Sequence, residues 1–259
     1  MNKGKRISFR MALASASAVT VLAAQPADAG KTDADKILRQ MSEKLGAART
    51  FRFKAHRTAD AALRTGNDIP ADARIEVWVM RPNGIMARSA SKDDVRRIYA
   101  DGATLSVLDE KMNLYATVPM PASLDSLPEQ IDKKYGFTPP LAEFAVSDLY
   151  QALRRQARTV SYLGQSQAGG DACYRLALSG KVADAQLWIA VTDQLPRKLV
   201  ATFKDRPGKP QLKVEFSDWD LAAKVDARDF TFVPPKGAMK VPMRTAAEMK
   251  AAMKKTAPK

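Results

Sequence analysis

The sequence predicts an α+β fold: one large curved antiparallel sheet, an incomplete β-barrel of about nine to eleven strands, with an N-terminal helix and a mid-chain helical lid. Short runs of alternating apolar and polar residues recur along most of the chain, separated by tight-turn residues. Apolar residues at helical spacing precede these runs and also interrupt them midway. Because the turns are too short for crossover helices, we expect antiparallel strands, and a sheet this wide must curl.

Three segments have the apolar spacing of a helix. The first spans about 33–46 and ends at Gly46, a residue type that commonly closes helices. The mid-chain pair spans about 124–135, with Ser123 as its cap, and about 145–155. The strand-like runs lie on either side of this pair, at about 51–54, 74–80, 85–89, 95–100, 104–108 and 112–118 before it, and at 160–164, 173–179, 186–191, 197–204, 212–217 and 230–232 after it.

The first 29 residues are typical of a secretory signal peptide. Four basic residues precede the uncharged apolar run Met11–Ala24, and Ala27 and Ala29 supply the small residues of a cleavage site. About 14 apolar residues are too few to span a bilayer, which needs ~20. We therefore expect cleavage after Ala29, a periplasmic mature chain with a single domain at 30–235, and a basic Met/Lys-rich tail at 236–259 that is mobile or helical.

Composition excludes several classes of site. A single cysteine cannot form a disulfide within one chain, and a single histidine cannot form a two-His metal site. A His56–Cys173 dyad is the formal candidate for a hydrolase, but Cys173 lies among apolar strand residues, as buried structural cysteines do. The sequence therefore predicts no catalytic residue, no metal and no cofactor.

The formal net charge of +14 falls to +11 without residues 1–29, and residues 236–259, with seven basic residues and one acidic residue, supply +6 of it. A basic nucleic-acid groove across the fold is therefore not indicated. The tail is either a solvated end or a weak contact with anionic membrane. Four methionines in the tail offer soft ligands for Cu(I), but an apolar stripe on a terminal helix is favoured because no histidine supports a copper site. They are Met239, Met243, Met249 and Met253.

Several motifs together resemble a known family. The most specific are Gln186–Ile189 (Gln-Leu-Trp-Ile) and Leu195–Leu199 (Leu-Pro-Arg-Lys-Leu), with Tyr99–Leu105 in support. They resemble a family of predicted bacterial periplasmic proteins defined as a domain of unknown function, over most of residues 33–235. That family usually has Asp-His after the cysteine, whereas this chain has Tyr174-Arg175, so a role for that histidine does not transfer.

The resemblance extends to fold, because the family is similar to the lipoprotein-localisation carriers LolA and LolB. It implies an incomplete barrel, closed by helices, with an apolar cavity for acyl chains and no catalytic residue. By itself, the apolar character of both faces of strands 74–80 and 186–191 favours a thick core over a cavity. The residues expected to line the cavity are Ile75, Val77, Val79, Met112, Leu114, Leu176, Leu178, Leu187, Ile189, Val214 and Phe216.

The implied function is a non-enzymatic periplasmic carrier or sensor of a lipid or an acylated lipoprotein. The first alternative is a protein-interaction module that binds another envelope protein, either in regulating envelope stress or as an operon neighbour. The second alternative is a Cys173-dependent hydrolase. A large apolar cavity would favour the carrier, a filled barrel the interaction module, and a polar cleft that joins Cys173 to His56 the hydrolase.

Export gives the first testable prediction. Protein recovered from the periplasm of its native cell should begin at Gly30, as read by mass spectrometry of the intact chain. Ala29→Phe should leave the precursor uncleaved, because signal peptidase accepts only small residues there, while the control Gln25→Ala should be cleaved normally. Recovery of mature protein that retains Met1 would contradict the prediction.

Overall fold

The computed structural model describes residues 33–63 and 71–256, with no side-chain description for 252–256. The predicted signal peptide and its cleavage site lie outside the described residues. Asp33–Lys259 form one compact unit. Within the described part, no helix combines the length and apolar character needed to cross a membrane.

The predicted α+β class is confirmed, with twelve strands in one sheet where about nine to eleven were expected. The helices are α1 (Ala34–Ala47), α2 (Leu127–Tyr135), α3 (Leu149–Gln156) and α4 (Ala246–Thr256). The strands are β1 (Thr50–Ala59), β2 (Asp72–Met80), β3 (Gly84–Ala90), β4 (Val95–Ala100), β5 (Thr104–Asp109), β6 (Leu114–Pro119), β7 (Ala157–Ala168), β8 (Asp171–Gly180), β9 (Ala183–Ala190), β10 (Pro196–Phe203), β11 (Gln211–Asp220) and β12 (Met239–Lys240).

The strand order is β12-β6-β5-β4-β3-β2-β1-β11-β10-β9-β8-β7, so the sheet is open, with β12 and β7 at its two edges. Neighbouring strands are antiparallel, apart from the short parallel pair of β12 with β6. Eleven predicted strands are present. The strand predicted at 230–232 is wrong: the chain there leaves the 3₁₀ helix Ala227–Phe230, whose start is held by a reciprocal capping box between Asp226 and Asp229.

The mid-chain helices begin later than predicted, at Leu127 and Leu149. Before α2, the backbone N–H of Ser126 donates to the carbonyl of Ser123, which forms a turn rather than a first helical turn. Before α3, the Asp148 carboxylate accepts a hydrogen bond from the Gln151 N–H at 2.9 Å and caps the helix there. The 3₁₀ helix Ala142–Ala145 lies between α2 and α3.

One face of the sheet, here called the inner face, packs against the helices. It carries the fully buried apolar residues of β1, β2 and β11, and α1, α2 and α3 bury their own apolar stripes in the same core. Phe144 from the 3₁₀ helix Ala142–Ala145 packs between Phe216 and Phe53, with ring centroids 4.9 and 6.4 Å away. Aromatic contacts of this kind add to burial and fix the mid-chain segment against the sheet.

Arg81, directly after β2, ties the helical layer together. Its guanidinium donates hydrogen bonds to the carbonyls of Ala48 (3.1 Å) and Leu45 (3.4 Å) at the end of α1. It also donates to the carbonyls of Ala145 (2.5 Å) and Val146 (3.0 Å) in the mid-chain segment. Burial lowers its pKa from the usual arginine value. One side chain therefore donates to carbonyls at the end of α1 and in the mid-chain segment, and it joins the two.

Replacing Arg81 should loosen the helical layer. Arg81→Met leaves the four carbonyls without their donor and should lower the free energy of unfolding by ~2–4 kcal/mol. Arg81→Lys should recover only part of this loss, because an ammonium lacks the planar fork of donors. Urea denaturation measures the change, and hydrogen exchange should be faster in residues 142–156.

The matched control is Arg52→Met. Arg52 forms an exposed ion pair with Asp220 at 3.4 Å, and exposed pairs of this kind contribute ~0–1 kcal/mol. Equal stabilities of the Arg81→Met and Arg52→Met proteins would show that Arg81 does not hold the layer.

Candidate functional site

Nine of the eleven residues expected to line a cavity lie on the inner face and are buried in the main core. They are Ile75, Val77, Val79, Leu176, Leu178, Leu187, Ile189, Val214 and Phe216. The inward placement of Met112 is wrong, since 65% of its surface is exposed. Asp109 accepts hydrogen bonds from the backbone N–H groups of Lys111 and Met112, which makes a turn and delays the start of β6. Leu114 begins β6 and is half-buried.

The inner face is not covered evenly. Beneath the helices, the residues of β1 and β2 are almost wholly buried, whereas several apolar side chains on β7 to β11 are only half-buried. These half-buried residues, here called the open strip, are Val160, Tyr162, Tyr174, Ala185, Leu199 and Leu212, and all of them pack against the main core. The open strip is thus an apolar surface, continuous with the core, that the helices cover incompletely.

A pair of opposite charges lies beside this strip. Arg57 is on β1 at inner-face parity with Phe53 and Ala55, and its Nε is buried without a hydrogen-bond partner. Glu143 projects from the 3₁₀ helix Ala142–Ala145 between the buried residues Ala142 and Phe144. No direct ion pair within 4.0 Å joins Arg57 to Glu143, although both residues lie in the described part of the chain.

Desolvation is the largest influence on the pKa values of Arg57 and Glu143. It lowers the pKa of Arg57, and it raises the pKa of Glu143 above the usual carboxyl range, although the nearby Arg57 charge acts in the opposite direction. Glu143 is nevertheless exposed by surface area. Water therefore reaches the Glu143 carboxyl and screens its charge.

Sequence reasoning missed Arg57 and most of the open strip. The alternation of Phe51, Phe53 and Ala55 would have placed Arg57 on the apolar face if β1 had been extended beyond 54 to its observed end at Ala59. Glu143 had no comparable signal, because its position depends on how the mid-chain segment crosses the sheet.

The apolar residues on the opposite, outer face form a small second cluster. Cys173, Trp188 and Ala190 are buried together there, and the Trp188 Nε1–H donates to the Ser166 hydroxyl at 2.8 Å. The Lys198 ammonium lies 4.8 Å from the centre of the Trp188 ring. The doubled apolar pattern of this strand therefore reflects packing on both faces of the sheet.

A groove of about 610 Å³ lies on the outer face, and several charged side chains contribute to its walls. They include Lys54, His56, Arg74, Lys198 and Glu215. His56 is hydrogen-bonded to Asp72 at 2.8 Å.

Cys173 has a different setting from His56. Its Sγ contacts the carbonyls of Ala168 and Asp171, and burial raises the pKa of its thiol. In the sheet, β11, β10 and β9 separate the strand of His56 from that of Cys173. The structure therefore does not bring the two residues of the hydrolase hypothesis into contact.

The tail methionines do not all lie on the terminal helix. Met239 lies in β12 and is exposed, Met243 packs against the core, and Met249 lies in α4. Within residues 33–63 and 71–256, no group of three or more His, Cys, Asp and Glu residues is placed to hold a metal ion.

The buried setting of Cys173 gives a prediction about reactivity. The native thiol should react slowly with a maleimide at neutral pH, because the reactive thiolate is disfavoured and the sulfur is inaccessible. Cys173→Ala should cost ~1–2 kcal/mol of stability and leave ligand binding unchanged. An exposed control, Ser161→Cys in the Cys173→Ala protein, should react quickly. Fast labelling of native Cys173 would revive the hydrolase hypothesis.

Comparison with solved structures finds matches at 12% sequence identity, with TM-scores below 0.5. An uncharacterized conserved protein from Thermus thermophilus is 12% identical, with a TM-score of 0.48 over 81% of this chain and 98% of that one. LprF from Mycobacterium bovis is 12% identical, with a TM-score of 0.46 over 79% and 97%. A LolA superfamily protein from Nitrosomonas europaea is 12% identical, with a TM-score of 0.35 over 77% and 97%.

No curated protein matches the chain. A family described as "Predicted periplasmic protein (DUF2092)" matches residues 34–244, which include all the strands and the first three helices. The family predicted from the sequence motifs is thereby confirmed, and the chain belongs to this family of predicted periplasmic proteins.

Proposed function

We propose that the protein is a non-enzymatic periplasmic carrier or sensor that holds an acyl chain, from a lipid or an acylated lipoprotein, against the inner face of its sheet. The open strip is the observation that carries this proposal. Its apolar side chains are half-buried, face the helical layer and continue into the core. A protein with no apolar ligand would more simply cover such a strip with its own side chains.

The energetics of an acyl chain suit this surface. Burying apolar area contributes ~25 cal/mol per Å², or ~0.8 kcal/mol per methylene. About ten methylenes on the open strip would contribute ~8 kcal/mol before the entropic cost of binding is subtracted. Useful affinity therefore needs no polar contact along the chain.

The helical layer is built so that it can shift over the sheet. α2 has nine residues and α3 has eight, with a four-residue 3₁₀ helix between them. Helices this short depend on tertiary contacts rather than on their own stability. Apolar side chains such as Ile131 and Leu149 hold them to the core, and the polar contacts at their edges come from Arg81 and from the Asp125 carboxylate, which accepts hydrogen bonds from Ser147 at 2.6 and 2.8 Å. An acyl chain could widen this layer without disturbing the strand ladder.

A second candidate is a protein-interaction module whose partner is another envelope protein. The charged groove on the outer face favours it, since a groove walled by Lys54, Arg74 and Glu215 suits a polar peptide rather than an acyl chain. The two candidates use opposite faces of the sheet, so variants on one strand distinguish them.

Leu199→Glu and Val200→Glu form a matched pair on β10. Leu199 packs against the inner-face core and Val200 against the outer-face cluster. Leu199→Glu should weaken binding of an apolar fluorescent probe by more than about tenfold, since an unpaired charge cannot share a site with an acyl chain. Val200→Glu should leave probe affinity within about twofold of the unmodified protein. Fluorescence titration gives the affinities, and circular dichroism confirms that both variants are folded.

Two results would contradict the carrier proposal or its binding site. If the unmodified protein binds no apolar probe, and carries no lipid when purified from its own periplasm, the carrier proposal is wrong. Equal loss of probe binding in both variants would place the binding site elsewhere.

A further inference from the structure

We propose that Arg57 binds the anionic headgroup of the acyl ligand, so that the ligand is a chain ending in a carboxylate or a phosphate. This inference rests on the proposed function, because it concerns the head end of the same site. The inference adds the chemical class of the ligand headgroup, since the apolar surface alone would accept an alcohol, an ester or a hydrocarbon equally well.

Arg57 occupies the end of an apolar row that crosses the sheet. In the strand register, Arg57 lies opposite Val214 on β11, and Val214 lies opposite Leu199 on β10. The row continues through Leu187 and Leu176 and ends at Tyr162 on β7. Neighbouring strands are ~4.8 Å apart, so the row is about 24 Å long. Val214, Leu187 and Leu176 are buried in the core, whereas Leu199 and Tyr162 belong to the open strip, so an acyl chain whose headgroup met Arg57 would contact the row at these two residues.

The guanidinium has unused donors. Its Nε is buried without a hydrogen-bond partner, and no described residue forms an ion pair with it. The inner-face positions beside it are small: Ala55 and Ala59 lie along β1, and Ala73 lies opposite on β2. A buried arginine with an unmade hydrogen bond is destabilising unless something else supplies the acceptor. A carboxylate or phosphate supplies two oxygens in the geometry of the guanidinium fork.

Glu143 provides a second variant, whose effect on anion affinity should be opposite to that of an Arg57 variant. It is the charged residue whose field acts on Arg57, and it is held in the covering segment between Ala142 and Phe144. It does not form a direct ion pair with Arg57, so the Arg57 fork is not blocked by it. An ionised Glu143 would repel an anion that approaches Arg57. Removing its charge should therefore strengthen binding of an anionic chain, whereas removing the Arg57 charge should weaken it.

The test compares ligands that differ only in the headgroup. Dodecanoate, dodecyl phosphate and dodecanol are titrated separately at neutral pH against a bound apolar probe, all below their micelle concentrations. The unmodified protein should bind at least one of the two anions about tenfold or more tightly than dodecanol. Whichever anion binds better distinguishes a fatty-acid carboxylate from a phospholipid-type phosphate as the source of the headgroup.

Three variants test whether Arg57 causes the preference for an anionic headgroup. Arg57→Met should remove the preference by lowering anion affinity about tenfold, with dodecanol affinity unchanged and thermal stability equal or higher. Glu143→Gln should raise anion affinity and leave dodecanol affinity unchanged. Lys54→Met is the matched control, since Lys54 precedes Arg57 by three residues on β1 and points to the outer face. It should change none of the three affinities.

Each failure has a distinct meaning. If none of the three ligands binds, the proposed function itself fails. If dodecanol binds as tightly as both anions, or if Arg57→Met keeps the anion preference, the role of Arg57 is wrong while the acyl site stands. Should Arg57→Met not fold, Glu143→Gln decides the matter: unchanged or lower anion affinity in that variant overturns the inference.

Discussion

The positions of β6 and β7 in the sheet determine how the apolar inner face is covered. β6 lies beside one edge of the strand order and β7 forms the other edge, although they are consecutive in the chain. The connection between them must therefore cross almost the whole sheet, and it does so over the inner face as α2, the 3₁₀ helix Ala142–Ala145 and α3. The same crossing buries Phe144 among the aromatic residues of the sheet and brings Ala145 to Arg81. The cover and the core thus follow from one topological requirement.

The spacing of apolar residues along the chain is a local signal, and it predicted most strands and the first helix well. Eleven strands and the first helix are where the apolar periodicity places them. The failures depend on contacts distant in sequence. β12 is two residues long and exists through parallel pairing with β6, which no pattern within the tail encodes. The alternation of Phe230 and Phe232 resembles a strand, but the Phe230 ring packs so closely on Gly84 that a methyl group there would meet it at 2.9 Å. That contact fixes Phe230 at the end of a 3₁₀ helix rather than in a ladder.

In the candidate site too, local alternation predicted some features, whereas others depend on contacts distant in sequence. Parity along β2, β8, β9 and β11 was sufficient to place nine residues on the inner face. Parity could not show which part of that face the helices leave half-covered, because this depends on where a segment of about thirty residues crosses the sheet. Nor could it separate a cavity from packing on both faces, and the residues around Trp188 proved to be an outer-face cluster. Arg57 was within reach of the pattern, but Glu143 was not.

The two arginines of the inner face show how the fold separates support from binding. Arg81 uses its donors on four carbonyls of the helical layer, and removing it would take this donor from all four. Arg57 is in a similarly desolvated setting, yet its Nε has no acceptor and no described residue forms an ion pair with it. Folding alone gives no reason for a charge at position 57, since an apolar side chain would complete the row from Ala73 to Val214 at lower desolvation cost. A residue that breaks the local rule without a compensating contact within the described chain is most simply explained by a partner from outside it. The proposed anionic headgroup fits this position, because a guanidinium can only donate hydrogen bonds and an anion both accepts them and balances the charge.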